Sequence, residues 1–291
     1  MKCSLCPQRC NAQRSKEGGF GICKAGTTPI VARVSPHYWE EPCISGTKGS
    51  GAVFFSGFTL KCVFCQNFEI SALNKGKAVT EQQLADYYKE LEQRGVHNIN
   101  LVSADQFAPA IVKSLDIYKP SVPVIYNCSG YQSKEILRIL DGYIDVYLPD
   151  FKYSDNTLAM IYSKAENYTD VAISAVTEMI RQTKNLDFDN DGIIKSGVIV
   201  RHLILPNHTK NSIGVLDILN EHFGDNILVS LMGQYIPHGE AVHIEKLNRK
   251  ITKREYDKVF NHLLTLGLDG FAQELESADE KYIPDWDLNR C

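Results

Sequence analysis

At 291 residues, with a net charge of −4 and its acidic and basic residues dispersed, the chain can bury a substantial core and lacks the basic excess of a nucleic-acid surface. No apolar run approaches the roughly 18 residues that cross a bilayer, and Met1-Lys2-Cys3 opens without a signal-peptide stretch, so no membrane partner is expected and the cytoplasm is the expected compartment. Nine cysteines, an odd number grouped in short-range sets, fit metal ligation in a reducing compartment better than a disulfide framework.

Residues 1–30 read as a separate module. Cys3, Cys6, Cys10 and Cys23 stand among glycines and basic residues, with too few apolar side chains for a core, so the segment needs a staple. Their spacing marks one four-thiolate site, for zinc or for an iron–sulfur cluster.

From Ala52 onward, short β-rich apolar runs alternate with helical patterns, the signature of βα units around a parallel sheet. Strands are expected at 52–55, 98–102, 122–126, 144–148, 198–205 and 227–231. Thr80 with Gln83 predicts a capping box for a helix ending near Gly95, and Ser133 and Thr252 are further predicted caps. The expected fold is α/β, a partial (β/α)6 TIM-type barrel over 31–291 with the small N-terminal four-cysteine module in front of it. In such barrels the residues just after each strand carry function. The string 187–192, Asp-Phe-Asp-Asn-Asp-Gly, begins like a calcium loop, but Val198 stands where the bidentate acid belongs, so a polar turn is expected.

The most informative motif is Cys62-Val63-Phe64-Cys65, two thiols on the loop that leaves the run Ala52-Val53-Phe54-Phe55. The string from Phe54 to Cys65 resembles the Cys-x3-Cys-x2-Cys loop of radical SAM enzymes, with Phe58 where the first cysteine belongs. Further segments extend the resemblance almost from end to end: Cys3-Ser4-Leu5-Cys6, His37-Tyr38-Trp39-Glu40-Glu41-Pro42-Cys43, Leu148-Pro149-Asp150-Phe151-Lys152-Tyr153, Arg201-His202-Leu203-Ile204-Leu205-Pro206 and Met232-Gly233-Gln234-Tyr235. Together they resemble the group related to the pyruvate formate-lyase activating enzyme, in a branch with extra N-terminal cysteines.

That resemblance implies a 4Fe-4S cluster held partly by Cys62 and Cys65, S-adenosylmethionine (SAM) bound beside it, and a second Fe-S cluster or zinc at Cys3, Cys6, Cys10 and Cys23. It implies reductive cleavage of SAM to a 5'-deoxyadenosyl radical and hydrogen abstraction from a partner, either a glycyl-radical enzyme or another protein or substrate. The electron donor would be a flavodoxin or ferredoxin. By position, Asn67, Asn127, Asp150, Lys152 and His202 match the SAM-contacting set. Asp150 and Lys152, two apart, share a face if the strand continues that far. Two departures stand out. Ser103-Ala104-Asp105-Gln106 replaces the stretch that holds the SAM amino group, leaving Asp105 as its acceptor, and Phe58 has no atom that binds iron. Either a spare thiol, Cys43, Cys128 or Cys291, completes the cluster, or the cluster is weak, altered or absent. The alternative function is a non-catalytic metal- or SAM-binding descendant acting as regulator or scaffold.

Overall fold

The computed structural model describes residues 2–273 and Leu275, so Cys291 lies outside the described residues. Ten strands occur among them: β1 (Ile30–His37), β2 (Ser50–Phe55), β3 (Lys77–Ala78), β4 (Ile99–Val102), β5 (Val124–Cys128), β6 (Val146–Pro149), β7 (Asp187–Phe188), β8 (Ile194–Leu203), β9 (Leu228–Met232) and β10 (Gly270–Ala272). Their order is β10-β9-β8-β6-β5-β4-β2-β1-β3, with β7 paired to β8. The ladder from β2 through β10 is parallel, while β1 and β3 add antiparallel strands at the β2 side. The six strands read from the sequence are β2, β4, β5, β6, β8 and β9, and β10 adds a short seventh parallel strand. No helix among the described residues is long and apolar enough to cross a membrane.

The helices between strands form at the expected signals. Thr80 and Gln83 make both halves of a capping box on helix Glu81–Gln93, which stops just before Gly95 at φ +78°. Ser133 Oγ accepts the Ile136 amide at the start of Lys134–Leu140, and Thr252 with Glu255 caps Lys253–Leu266 by a second box. Such caps satisfy first-turn amides that would otherwise lack partners. In the 187–192 segment, Asp189 accepts from the Asp191 and Ile193 amides at 3.0 and 2.9 Å and pairs with Lys195 at 2.9 Å. Its carboxylate is thereby consumed by a hairpin turn.

Strand side chains alternate between two environments, as a period of two requires. Leu101, Tyr126, Tyr147, Val200 and Val229 face the helices and form the main core. Ile125, Val146, Leu148 and Ile199 face the barrel interior, where Cys43 and Ile44 from the short helix Pro42–Ser45 join them as a dry floor. Ile44 is fully buried there, so its truncation to alanine would cost about 2–5 kcal/mol. Above this floor, toward the carboxyl ends of the strands, the interior opens into the cavity described next.

Candidate functional site

The loop after β2 reverses direction at Gly57, whose φ of +82° suits glycine and whose position admits no side chain, since a Cβ would lie 2.9 Å from the Cys23 carbonyl oxygen. The Gly57 amide bonds to Ile70 O at 2.9 Å, and Lys61 and Val63 amides bond to Ser163 O and Tyr162 O at 3.2 and 2.8 Å. The Cys65 amide then closes a turn onto Cys62 O at 3.2 Å. Both sulfurs are addressed by hydroxyls: Ser163 Oγ donates to Cys62 Sγ at 3.0 Å, and Ser71 Oγ lies 3.3 Å from Cys65 Sγ. Burial pushes the Cys62 thiol up to about 11 and also raises Cys65, against the lowering effect of the nearby Lys152 ammonium. Burial thus favours the neutral thiols, with the Lys152 ammonium acting against it.

Cys62 and Cys65 line a cavity of about 740 Å³ at the carboxyl ends of the strands. Asn67, Asn127, Asp150 and Lys152 line the same cavity, and so does Phe58. Asp150 and Lys152 do share a face: Lys152 Nζ lies 2.5 Å from Asp150 Oδ2, with both side chains mostly buried. Tyr168 fixes their backbone by accepting the Lys152 amide at 2.9 Å and donating toward the carbonyls of Ser129 and Asp150 at 2.9 and 3.0 Å.

Two expected residues lie elsewhere. His202 is fully buried on the opposite face of β8, since its neighbours Arg201 and Leu203 take the inward positions. Its Nδ1 lies 2.7 Å from Phe151 O, its Nε2 has no partner, and burial pushes its pKa down to about 4. Asp105 does not line the cavity. Ser103, at φ +64°, turns the chain after β4, and the Asp105 carboxylate is buried where Tyr126 OH, Gln132 Nε2 and Thr59 Oγ1 donate to it at 2.7, 2.9 and 3.2 Å. Of the spare thiols, Cys128 lines the cavity, whereas Cys43 belongs to the dry floor.

One charged group escaped the sequence reading. Arg201 Nε donates to Glu41 Oε1 at 2.8 Å, and its Nη2 donates both to Glu41 Oε2 at 2.5 Å and to Glu40 Oε2. Asn100 Nδ2 donates to Glu40 Oε1 at 3.1 Å. These groups are nearly buried and form the polar layer between dry floor and cavity. Although burial alone would raise the Glu41 carboxyl, the Arg201 guanidinium holds it below its ordinary value.

Cys3, Cys6, Cys10 and Cys23 line a second, small enclosure whose wall includes Thr59 and Gln106. Burial pushes the Cys6 thiol up to about 12. Among the described residues no group of three or more His, Cys, Asp or Glu side chains is arranged to hold a metal ion.

This arrangement of parallel strands, with a cavity at their carboxyl ends, is a partial TIM-type barrel. The chain superposes on Streptococcus suis SuiB bound to precursor peptide SuiA with TM-score 0.52 at 13% identity, covering 76% of this chain and 48% of SuiB. It matches methylornithine synthase PylB with TM-score 0.52 at 13% identity over 77% and 70% of the two chains. A radical SAM methyltransferase from Sphaerobacter thermophilus gives 0.52 at 11% identity over 76% and 65%. The chain thus spans about half the length of SuiB. In sequence it is 30% identical over 278 residues to the uncharacterized protein MJ0674 of Methanocaldococcus jannaschii, covering 92% of this chain and 75% of that protein, and it belongs to that protein's family. No family model matches the chain.

Proposed function

We propose that the chain is a radical SAM enzyme that cleaves SAM reductively and abstracts hydrogen from a protein or peptide, in the manner of the activases of glycyl-radical enzymes. One observation carries this reading: Cys62, Cys65, Asn67, Asn127, Asp150 and Lys152, drawn from separate strand ends, line a single cavity of a radical SAM fold. The residues suit SAM. Lys152 offers an ammonium to its carboxylate, Asp150 an acceptor to its amino group or ribose, and the two asparagines provide both donors and acceptors. Phe54, Phe64 and Met232 supply apolar wall that keeps water from a reactive intermediate.

Cys62 and Cys65 would hold a 4Fe-4S cluster, with Ser163 and Ser71 hydroxyls set to tune their sulfurs. When bound, such a cluster supplies the single electron that splits SAM. The third ligand position is Phe58, which leaves the loop one thiolate short; Cys128 lines the same cavity and would be the completing thiol only if the native chain already produces 5'-deoxyadenosine. At the N-terminus, Cys3, Cys6, Cys10 and Cys23 surround a shared space and would hold a second Fe-S cluster or zinc. Thiolate sites of this kind persist in a reducing compartment, which supports the cytoplasm.

SuiB is bound to a precursor peptide, which supports a polypeptide substrate here. Residues 1–30 carry five basic side chains and one acidic, net +4, leaving −8 for the remainder of a chain whose total is −4. That asymmetry suits an acidic electron donor of the flavodoxin or ferredoxin kind. Phe58 favours a second reading, a non-catalytic descendant that binds metal or SAM as regulator or scaffold. Anaerobic iron and sulfide analysis separates the two: about four irons at the barrel site supports the enzyme, and zinc alone supports the descendant.

A further inference from the structure

A single stretch, residues 57–65, separates the N-terminal enclosure from the central cavity. Thr59 forms part of the wall around Cys3, Cys6, Cys10 and Cys23, while its neighbour Phe58 lines the cavity with Cys62 and Cys65. The N-terminal module grips this stretch from behind. Gln8 Nε2 donates to Thr59 O at 3.2 Å, Asn74 Nδ2 donates to Cys23 O at 3.3 Å, and the Cys23 carbonyl packs against Gly57. Arg14 donates to Gln106 O at 2.6 Å and to Gly26 O, which ties the module to the turn after β4. On the barrel side, Thr59 Oγ1 is anchored to Asp105, whose carboxylate is held in turn by Tyr126 and Gln132.

The module has almost no core of its own: beyond these polar contacts its order rests on Ala25, Leu5, Cys6 and Cys23, which pack on the main core. Residues 57–65 have the opposite need. Their two thiols must hold fixed positions to bind a cofactor at all, and a displacement of about 1 Å is enough to spoil such a site.

We propose that the N-terminal four-cysteine module is a clamp on the cavity loop: filling its metal site rigidifies residues 57–65, with Thr59 and Asp105 as positioning residues that transmit the restraint to Cys62 and Cys65. This inference rests on the reading of Cys3, Cys6, Cys10 and Cys23 as a metal site. The coupling is reciprocal, so order in the loop also tightens metal binding at the N-terminus.

The test uses the full chain carrying Cys62→Ser and Cys65→Ser, which leaves the N-terminal set as the clustered thiols, with Zn²⁺ as the probe metal. Bound zinc is measured by elemental analysis, and amide hydrogen exchange is followed in peptides covering 57–65. One zinc per chain should slow exchange there by about tenfold or more. Thr59→Val added to this background should bind the same zinc yet lose most of that protection, and Thr59→Ser, which keeps the hydroxyl, should regain it. Zinc bound at one equivalent with unchanged exchange at 57–65 overturns the clamp, as does full protection in Thr59→Val or failure of Thr59→Ser to restore it. Absence of zinc binding overturns the metal-site reading itself, and the elemental analysis distinguishes that failure from the others.

Discussion

Lys152 Nζ sits 2.5 Å from Asp150 Oδ2, inside the cavity that Cys62 and Cys65 also line. The pair places a cation and an acceptor side by side, and the Lys152 charge also acts on both thiols. Its position beside the sulfurs makes more than a salt bridge at a barrel rim.

Removing one member leaves the other without its partner in a mostly buried site. Asp150→Ala should weaken SAM binding by about 1–3 kcal/mol. Equilibrium dialysis against labelled SAM measures this, and unchanged affinity would remove Asp150 from the site.

The polar layer beneath the cavity gives a stability prediction. Arg201→Met strands the Glu40 and Glu41 carboxylates in a nearly buried setting and should cost about 3–5 kcal/mol in denaturant unfolding. Adding Glu40→Gln and Glu41→Gln should recover much of that loss, because no uncompensated charge then remains. A single variant that unfolds like the parent would show that the layer is solvated.

His202 sets a pH dependence whose sign follows from its lowered pKa of about 4. The folded chain keeps this imidazole neutral, while the unfolded chain protonates it below its ordinary value of 6.5. Its contribution is therefore intact above pH 6.5 and lost as pH falls toward 4. His202→Leu should shrink the fall in stability between pH 7 and pH 4.5 by about 2–3 kcal/mol, read from urea melts at both values. An equal fall in parent and variant would place the acid sensitivity elsewhere.

The sequence made the barrel legible because its parallel strands are short apolar runs separated by capped helices, as Thr80 and Thr252 show. Less legible was which face each residue takes. In β8 both faces are buried, so the run from Val198 to Leu205 has no alternation to read, and His202 could not be told from its inward neighbours. Asp105 was displaced by the turn at Ser103, a left-handed residue that propensity does not announce. The Arg201 network joins residues 160 apart, and its one signal was an arginine inside an apolar strand. β1 and β10 sit at the flanks, where the βα pattern no longer constrains them.

At the N-terminus, Cys6→Ser should release the metal of residues 1–30 and open them to protease, while the barrel, whose core is built almost entirely from residues beyond 30, remains folded. Limited proteolysis with metal analysis checks this. Full metal content and full resistance in the variant would refute the four-thiolate assignment.

The cavity loop itself carries the central claim. With Phe58 beside Cys62 and Cys65, the native site should hold a sub-stoichiometric or labile cluster, and Phe58→Cys should restore a third thiolate on a loop already shaped for it by Gly57. The most direct measurement is anaerobic reconstitution of both proteins, followed by reduction with SAM present, scoring iron content and 5'-deoxyadenosine. The account predicts that Phe58→Cys gains both over the native chain; a cysteine variant that gains neither iron nor 5'-deoxyadenosine would contradict it and leave the non-catalytic descendant in its place.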